Sequence, residues 1–219
     1  MAARIAILLS GRGSNFLALR AAITDGSLPA EISLVVSNRA AAPGLEKAEE
    51  LGLATACLPH VAAASRGEHD RAVVAVLRAA DIEWVCLAGY MRLLSPQFVQ
   101  AFPRRILNIH PSLLPAFPGL HAQRQALEHG VAVSGCTVHL VDEELDHGPI
   151  VIQQAVPVEA GDDEDRLAAR ILAAEHRAYP LALRRLLSEP WSVAGRRVIF
   201  GAVSAVEPLP PASPRFERG

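Results

Sequence analysis

Arg4-Ile5-Ala6-Ile7-Leu8-Leu9-Ser10-Gly11-Arg12-Gly13-Ser14-Asn15 runs from a short apolar stretch straight into a glycine-rich turn. Apolar residues in unbroken succession fit a strand buried on both faces, as in a parallel sheet. The turn then opens a helix predicted over 15–24. Glycines let the backbone approach a ligand closely, and the unpaired N–H groups of a helix start attract anions. Phe16 stands where a dinucleotide fingerprint requires a third small residue, and no P-loop lysine follows. The turn therefore reads as a phosphate site and not as a dinucleotide site. A plain strand-to-helix turn capped by Ser14 or Asn15 is the purely structural alternative.

The same strand-then-helix grammar repeats downstream. ISLVVS (32–37), ATACL (54–58), WVCLAG (84–89) and ILNIH (106–110) are further unbroken apolar runs, with helices predicted at 43–51, 68–80 and 95–101 between them. Pro43 suits a first helical turn, and Ser95-Pro96 reads as a cap followed by the first helical residue. This order predicts an α/β fold: an open, doubly wound, mostly parallel sheet of Rossmann-like type.

The pattern changes after His110. PSLLPAFPGLH (111–121) carries three prolines and a glycine and reads as a structured loop. A helix at 121–128 precedes two strand-like runs, SGCTVHLV (134–141) and PIVIQQAVPV (149–158), joined by the acidic loop DEELDHG (142–148). Alternation at Thr137, His139 and Val141 suggests a more polar strand face. A long helix is expected over 162–187, with Asp162, Asp163, Glu164 and Asp165 serving its positive end. Residues 1–189 then form one domain. Residues 190–219 form a C-terminal extension, with a hairpin around Ala194 and Gly195 and a frayed tail from Pro208.

Composition narrows the function classes. With 51% hydrophobic and 20% charged residues, the 219-residue chain is not intrinsically disordered. A net charge of −2 provides no global pull toward nucleic acid or an anionic membrane. Cys57, Cys86 and Cys136 are too few for a disulfide framework, sit in apolar runs as small hydrophobes, and suit a reduced, cytoplasmic setting. The apolar run Ile5 to Leu9 is too short for a signal peptide, and no stretch reaches the roughly 20 apolar residues needed to span a bilayer.

Asn108 and His110 lie two apart at a strand end, so their side chains share a face. Ligands of open α/β sheets bind beyond the carboxyl ends of the strands, where this pair falls. An amide donor beside an imidazole suits a reaction that develops an oxyanion and moves a proton. A carboxylate of the 142–148 loop would orient His110, although sequence alone does not bring residues 36 apart into contact. His110, His121, His139 and His147 all lie in this half, but neither H-x-x-x-H nor paired-cysteine spacing occurs, so no metal is expected.

CLAGYMRLLSP (86–96), ILNIHPSLLPAFPGLHAQRQALEHG (106–130) and CTVHLVDEELDHGPIV (136–151), with SGRGSN (10–15) and AAEHRAYP (173–180), resemble the folate-dependent formyltransferases over residues 4–187. NIHPSLLP followed by D-x-G-P marks that family, and SGRGSN points to its branch acting on glycinamide ribonucleotide. The resemblance implies attack of the ribonucleotide amine on the formyl carbon of 10-formyltetrahydrofolate. Asn108 would bond the oxyanion, protonated His110 would stabilise it and move the proton, and Asp146 would hold His110 in its charged form. Gly13, Ser14 and Asn15 match the turn that receives the phosphate, and Glu175 matches a ribonucleotide contact. On the folate side, Arg66 matches a loop position and Met91, Arg92, Leu93 and Leu94 a strip lining the pterin. Asp142, Glu143, Glu144 and Leu145 match the pterin-edge loop, and Asn108 also faces the co-substrate. His121 and His139 would stand behind these groups.

Two departures from the family stand out: Asp142 replaces a smaller polar residue, and His147 replaces a glycine or small residue, where it would compete for Asp146. The family's tRNA-directed enzymes carry a further C-terminal domain, and its hydrolases an additional N-terminal one. A binder without catalysis would not need Asn108, His110 and Asp146 together. Small-molecule substrates are the expected partners, with no nucleic acid or membrane, and the protein is expected as a monomer or homodimer.

Overall fold

In the computed structural model, described over residues 2–63 and 65–201, the opening apolar run forms β1 (Ala3–Leu9). Ile5 to Leu9 are completely buried. Ile5, Ile7 and Leu9 enter one hydrophobic cluster, Ala6 and Leu8 the other. This period-2 split between two cores is why the run shows no polar alternation.

The chain continues through α1 (Ser14–Thr24), β2 (Ala30–Ser37), α2 (Pro43–Glu50), β3 (Thr55–Cys57) and α3 (Arg66–Ala79). β4 (Trp84–Leu87), α4 (Pro96–Ala101), β5 (Ile106–His110) and α5 (Ala122–Glu128) follow. β6 (Val133–Leu140), β7 (Ile150–Pro157), α6 (Glu164–Ser188), β8 (Trp191–Ala194) and β9 (Arg197–Phe200) complete the described residues. One nine-stranded sheet has the order β3-β2-β1-β4-β5-β6-β7-β9-β8. β1 to β5 pair in parallel, β6 runs antiparallel to both β5 and β7, and β9 returns parallel to β7. The fold is thus the expected open, mostly parallel α/β sheet. Residues of α1, α2, α5 and α6 fill one face, and residues of α3 and α4 the other.

Several local expectations need correction. α3 starts at Arg66 and not at residue 68, because Ser65 caps it by accepting from Glu68 N. Arg66 is therefore the first helical residue, not a loop residue. Asp162 lies outside the first turn of α6. It binds Arg170 at 2.6 Å and accepts from Glu159 N, while Asp163 caps the helix through Arg166 N. The polar strand face of Thr137 and His139 is covered, since both are buried where β6 runs between β5 and β7. Cys57 is exposed at the short edge strand β3. Cys86 and Cys136 are buried, which pushes both thiols up to about 12.

The hairpin of β8 and β9 turns at Gly195, as expected, and packs on the main core. Trp191 meets Trp84 at 6.3 Å and donates from Nε1 to Leu186 O, while the Arg185 guanidinium lies 3.8 Å from the Phe200 ring. The tail expected from Pro208 lies outside the described residues.

Tyr179 of α6, completely buried, ties this helix to the sheet where β4 ends beside the start of β5. Its hydroxyl is shared between Leu87 O at 3.0 Å and Leu107 O at 2.9 Å. Replacing Tyr179 by Phe leaves both carbonyls without that donor and is expected to cost about 1–3 kcal/mol. Urea unfolding checks this: the midpoint should fall with an unchanged slope.

Candidate active site

Strand order reverses between β1 and β4, and the carboxyl ends of parallel β1, β4 and β5 share one edge. Adjacent strands lie about 4.8 Å apart, so the segments leaving β1 and β5 are separated by only about 10 Å. This switch point is where open α/β sheets bind ligands. It gathers the glycine turn after β1, the 88–95 strip after β4 and Asn108 and His110 on β5.

No side chain caps α1. Gly13 occupies the N-cap position at φ 72°, so neither Ser14 nor Asn15 acts as the cap. The first N–H groups of the helix consequently face outward with the positive end of its dipole. Gly44, at the start of α2, donates to Gly11 O at 3.0 Å, and a Cβ on Gly44 would stand 2.9 Å from that oxygen. Ser10 joins the turn to the strip: its N–H donates to Gly89 O, and its Oγ accepts from Met91 N at 2.8 Å. Asn15 donates from Nδ2 to Glu175 Oε2 at 2.7 Å, in a buried contact between α1 and α6. Burial pushes the Glu175 carboxyl up, against the lowering effect of Asn15. Asn15 Oδ1 is buried and has no protein partner among the described residues. Glycine spacing marked the turn; the Asn15–Glu175 contact, 160 residues apart in sequence, left no local signal.

The antiparallel pairing of β5 with β6 sets Asn108 opposite His139 and His110 opposite Thr137. Directly paired residues present side chains to the same face. Asn108 Nδ2 meets His139 Nε2 at 3.1 Å, and His139 Nδ1 meets Leu140 O at 3.1 Å. Burial, first among its causes, holds His139 below the ordinary histidine range. The neutral ring therefore donates from Nδ1 and accepts from Asn108 at Nε2. His139 thus orients the amide through the β5–β6 register. His121 is exposed at the N-cap position of α5 and makes no side-chain cap.

Asp146 reaches His110 across the 36-residue separation. The Nδ1 to Oδ2 distance is 3.4 Å, with both side chains under 10% exposed. His110 Nε2 donates to Phe117 O at 2.9 Å, so both ring nitrogens face oxygen acceptors. Asp146 also accepts from Gly119 N at 2.8 Å and lies 3.8 Å from His139 Nε2. The proline-rich loop is pinned from behind. Thr137 Oγ1 donates to Ser112 O and accepts from Leu114 N, and Gln153 donates to Leu114 O. His147 does not compete for Asp146; it pairs with Asp142 Oδ2 at 2.9 Å. Arg196 of the hairpin turn fixes the His147 carbonyl at 2.7 Å.

Beyond these groups, Met91, Leu93 and Leu145 are exposed apolar side chains, whereas Leu94 is buried. Arg92 Nε is buried without a partner among the described residues. Arg66 is exposed on the first turn of α3, Glu143 accepts from Gln100, and Glu144 N donates to Asp142 Oδ1. Among the described residues, no group of three or more His, Cys, Asp or Glu could hold a metal, and no helix is long and apolar enough to cross a membrane.

A buried His–Asp pair beside an oriented amide, across a switch point from an uncapped helix start, defines an α/β enzyme site. The sequence pattern of the family described as formyl transferase matches residues 3–183, and the chain belongs to this family. It is 46% identical over 179 residues to phosphoribosylglycinamide formyltransferase of Escherichia coli (strain K12), covering 82% of this chain and 84% of that protein. The crystal structure of glycinamide ribonucleotide transformylase 1 from Symbiobacterium toebii matches with a TM-score of 0.89 at 50% identity, covering 91% of this chain and 94% of that one. The trifunctional purine biosynthetic protein adenosine-3 of Drosophila pseudoobscura pseudoobscura is 51% identical over 187 residues, or 84% of this chain. The chain spans 14% of that protein's length and 18% of its human counterpart.

Neutral His139 also has a pH signature. In the unfolded chain it takes a proton below about 6.5, whereas the folded chain resists that proton. Its contribution is therefore present above that pH and lost as pH falls. Thermal or urea unfolding between pH 7 and 5 should show stability declining toward acid. His139→Gln should flatten the slope by up to about 1.4 kcal/mol per pH unit, the value for one proton. An identical slope in the variant would contradict a neutral buried His139.

Proposed function

We propose that the protein transfers the formyl group of 10-formyltetrahydrofolate to the amino group of phosphoribosylglycinamide. The observation that carries this reading is the His110–Asp146 pair at 3.4 Å beside Asn108. Acyl transfer from one nitrogen to another needs an oxyanion donor and a proton carrier at the same carbon, and these residues supply both.

The ribonucleotide phosphate sits at the N–H groups of Gly13, Ser14 and Asn15. Glu175 and Asn15 Oδ1 offer acceptors to the rest of the substrate, consistent with their burial together. Met91, Leu93 and Leu145 give apolar contact to the folate ring. Arg92, Leu94 and the backbone of Asp142, Glu143 and Glu144 frame its edge, and Arg66 meets the co-substrate's anionic end.

The amine attacks the formyl carbon, and the carbonyl electrons move onto oxygen. Asn108 donates one N–H to His139 and keeps a second for the oxyanion. His110 presents Nε2–H to the same oxygen in exchange for the Phe117 carbonyl, and Asp146 balances the imidazolium charge. The attacking nitrogen then loses a proton and the folate N10 gains one. The C–N10 bond breaks, leaving formylated ribonucleotide and tetrahydrofolate. No metal, nucleic acid or membrane takes part in this reading, which places the protein in the cytoplasm as a monomer or homodimer.

Following folate absorbance with and without the ribonucleotide tests the proposal. Turnover should require both substrates; turnover that ignores the ribonucleotide would mean hydrolysis instead. Asp146→Asn should lower kcat by about 10²–10⁴-fold, the usual range for losing general acid–base catalysis, with little change in ribonucleotide KM. Near-normal kcat in the variant would contradict the role of the pair.

A further inference from the structure

Two buried titratable side chains lie outside this chemistry. His69 and Asp70, on the inner face of α3, are 2% and 1% exposed. A carboxylate that deep is costly unless its oxygens are hydrogen-bonded. Asp70 Oδ2 accepts from Ser95 N at 2.6 Å, and Oδ1 faces His69 Nδ1 at 3.5 Å. His69 Nε2 donates to Leu58 O at 2.9 Å, which ties the start of α3 to the segment leaving β3.

Ser95 ends the irregular segment that runs from β4 to α4, and its Oγ caps α4 through Phe98 N. The segment therefore hangs between two side-chain acceptors. At its front, Ser10 Oγ receives Met91 N; at its back, Asp70 receives Ser95 N. Arg66 lies four residues before Asp70, on the same side of α3 and about 6 Å along the helix axis. One carboxylate thus fixes the segment 91–94 relative to the helix turn that carries Arg66.

We propose that Asp70 is a positioning residue for the folate co-substrate: its bond to Ser95 N sets the spacing between Arg66 and the strip Met91 to Leu94. The inference rests on the assignment of that strip to the folate under Proposed function. Asp70 touches no reacting atom, so it acts on co-substrate binding and leaves the chemical step alone.

The test uses the full chain, with initial rates measured against each substrate in turn. Asp70→Ala should raise KM for 10-formyltetrahydrofolate about tenfold or more, the loss expected for one buried hydrogen bond to a charged group. KM for the ribonucleotide and kcat should stay within about twofold, well under the tenfold that 1.4 kcal/mol represents. Asp70→Asn places an oxygen before Ser95 N and an NH2 before His69 and should restore most of the wild-type value, short of what the charge adds. Asp70→Glu keeps the charge but displaces the acceptor, so it should raise the same KM, and it decides the matter if the alanine variant fails to fold. Equal loss for both substrates, or a fall in kcat alone, would overturn the inference and leave Asp70 as general scaffold. An asparagine variant as poor as alanine would overturn the role of the Ser95 bond. If the wild-type chain turned over nothing, the functional reading would fail and this inference with it; a wild type that turns over while all three variants keep its folate KM would overturn the role of Asp70 alone.

Discussion

Everything at the reactive end of this sheet depends on how tightly the chain folds back between β6 and β7. Leu140 N donates to Pro149 O at 2.9 Å, and Gly148 packs so closely on the Leu140 carbonyl that any Cβ there would overlap it. Asp146, two residues earlier, adopts φ 50°, a left-handed conformation that a non-glycine residue takes only when its surroundings hold it there. Gly119 N on one oxygen and His110 on the same carboxylate provide that hold. A side chain at position 148 would open the turn and withdraw Asp146 from β5.

The remaining parts of the site follow from strand order. Antiparallel β6 presents His139 to Asn108 and Thr137 to His110, so the amide and the imidazole are placed by one register. Parallel β1 and β4 deliver the glycine turn and the 91–94 strip to the same edge, and Ser10 ties the two together. The C-terminal hairpin joins in through Arg196, which grips the carbonyl beside Asp146 while its own carbonyl receives Ile150 N. Under the proposed function two substrates would meet at this edge, and a chain charge of only −2 suits that reading, because backbone N–H groups at a helix start can receive a phosphate without a basic surface.

Much of this was legible in the sequence, for physical reasons. The unbroken apolar runs announced strands buried on both faces, and ILNIH at Ile106–His110 matched its strand to the residue. Asn108 and His110 could be placed on one face because strand side chains alternate. What stayed hidden depends on register and on long-range contact. Thr137 and His139 read as a polar strand face, but alternation says nothing of whether that face is covered. Arg66 looked like a loop residue because Gly67 masks a helix start that the Ser65 cap establishes. His147 looked like a rival for Asp146, but the turn points it to Asp142. Asp70 was mute, being a carboxylate whose partner, Ser95 N, lies on another element; Glu175 was marked by the family resemblance alone, and its contact with Asn15 left no local signal.

Under the proposed mechanism His110 and Asp146 act as a single unit held together by the 141–149 turn. A double-mutant cycle on kcat, comparing wild type, His110→Ala, Asp146→Ala and the double variant, tests it most directly. If the two side chains work together, the double variant should be scarcely slower than the worse of the two single variants. Losses that simply multiply would show two independent residues and contradict the account.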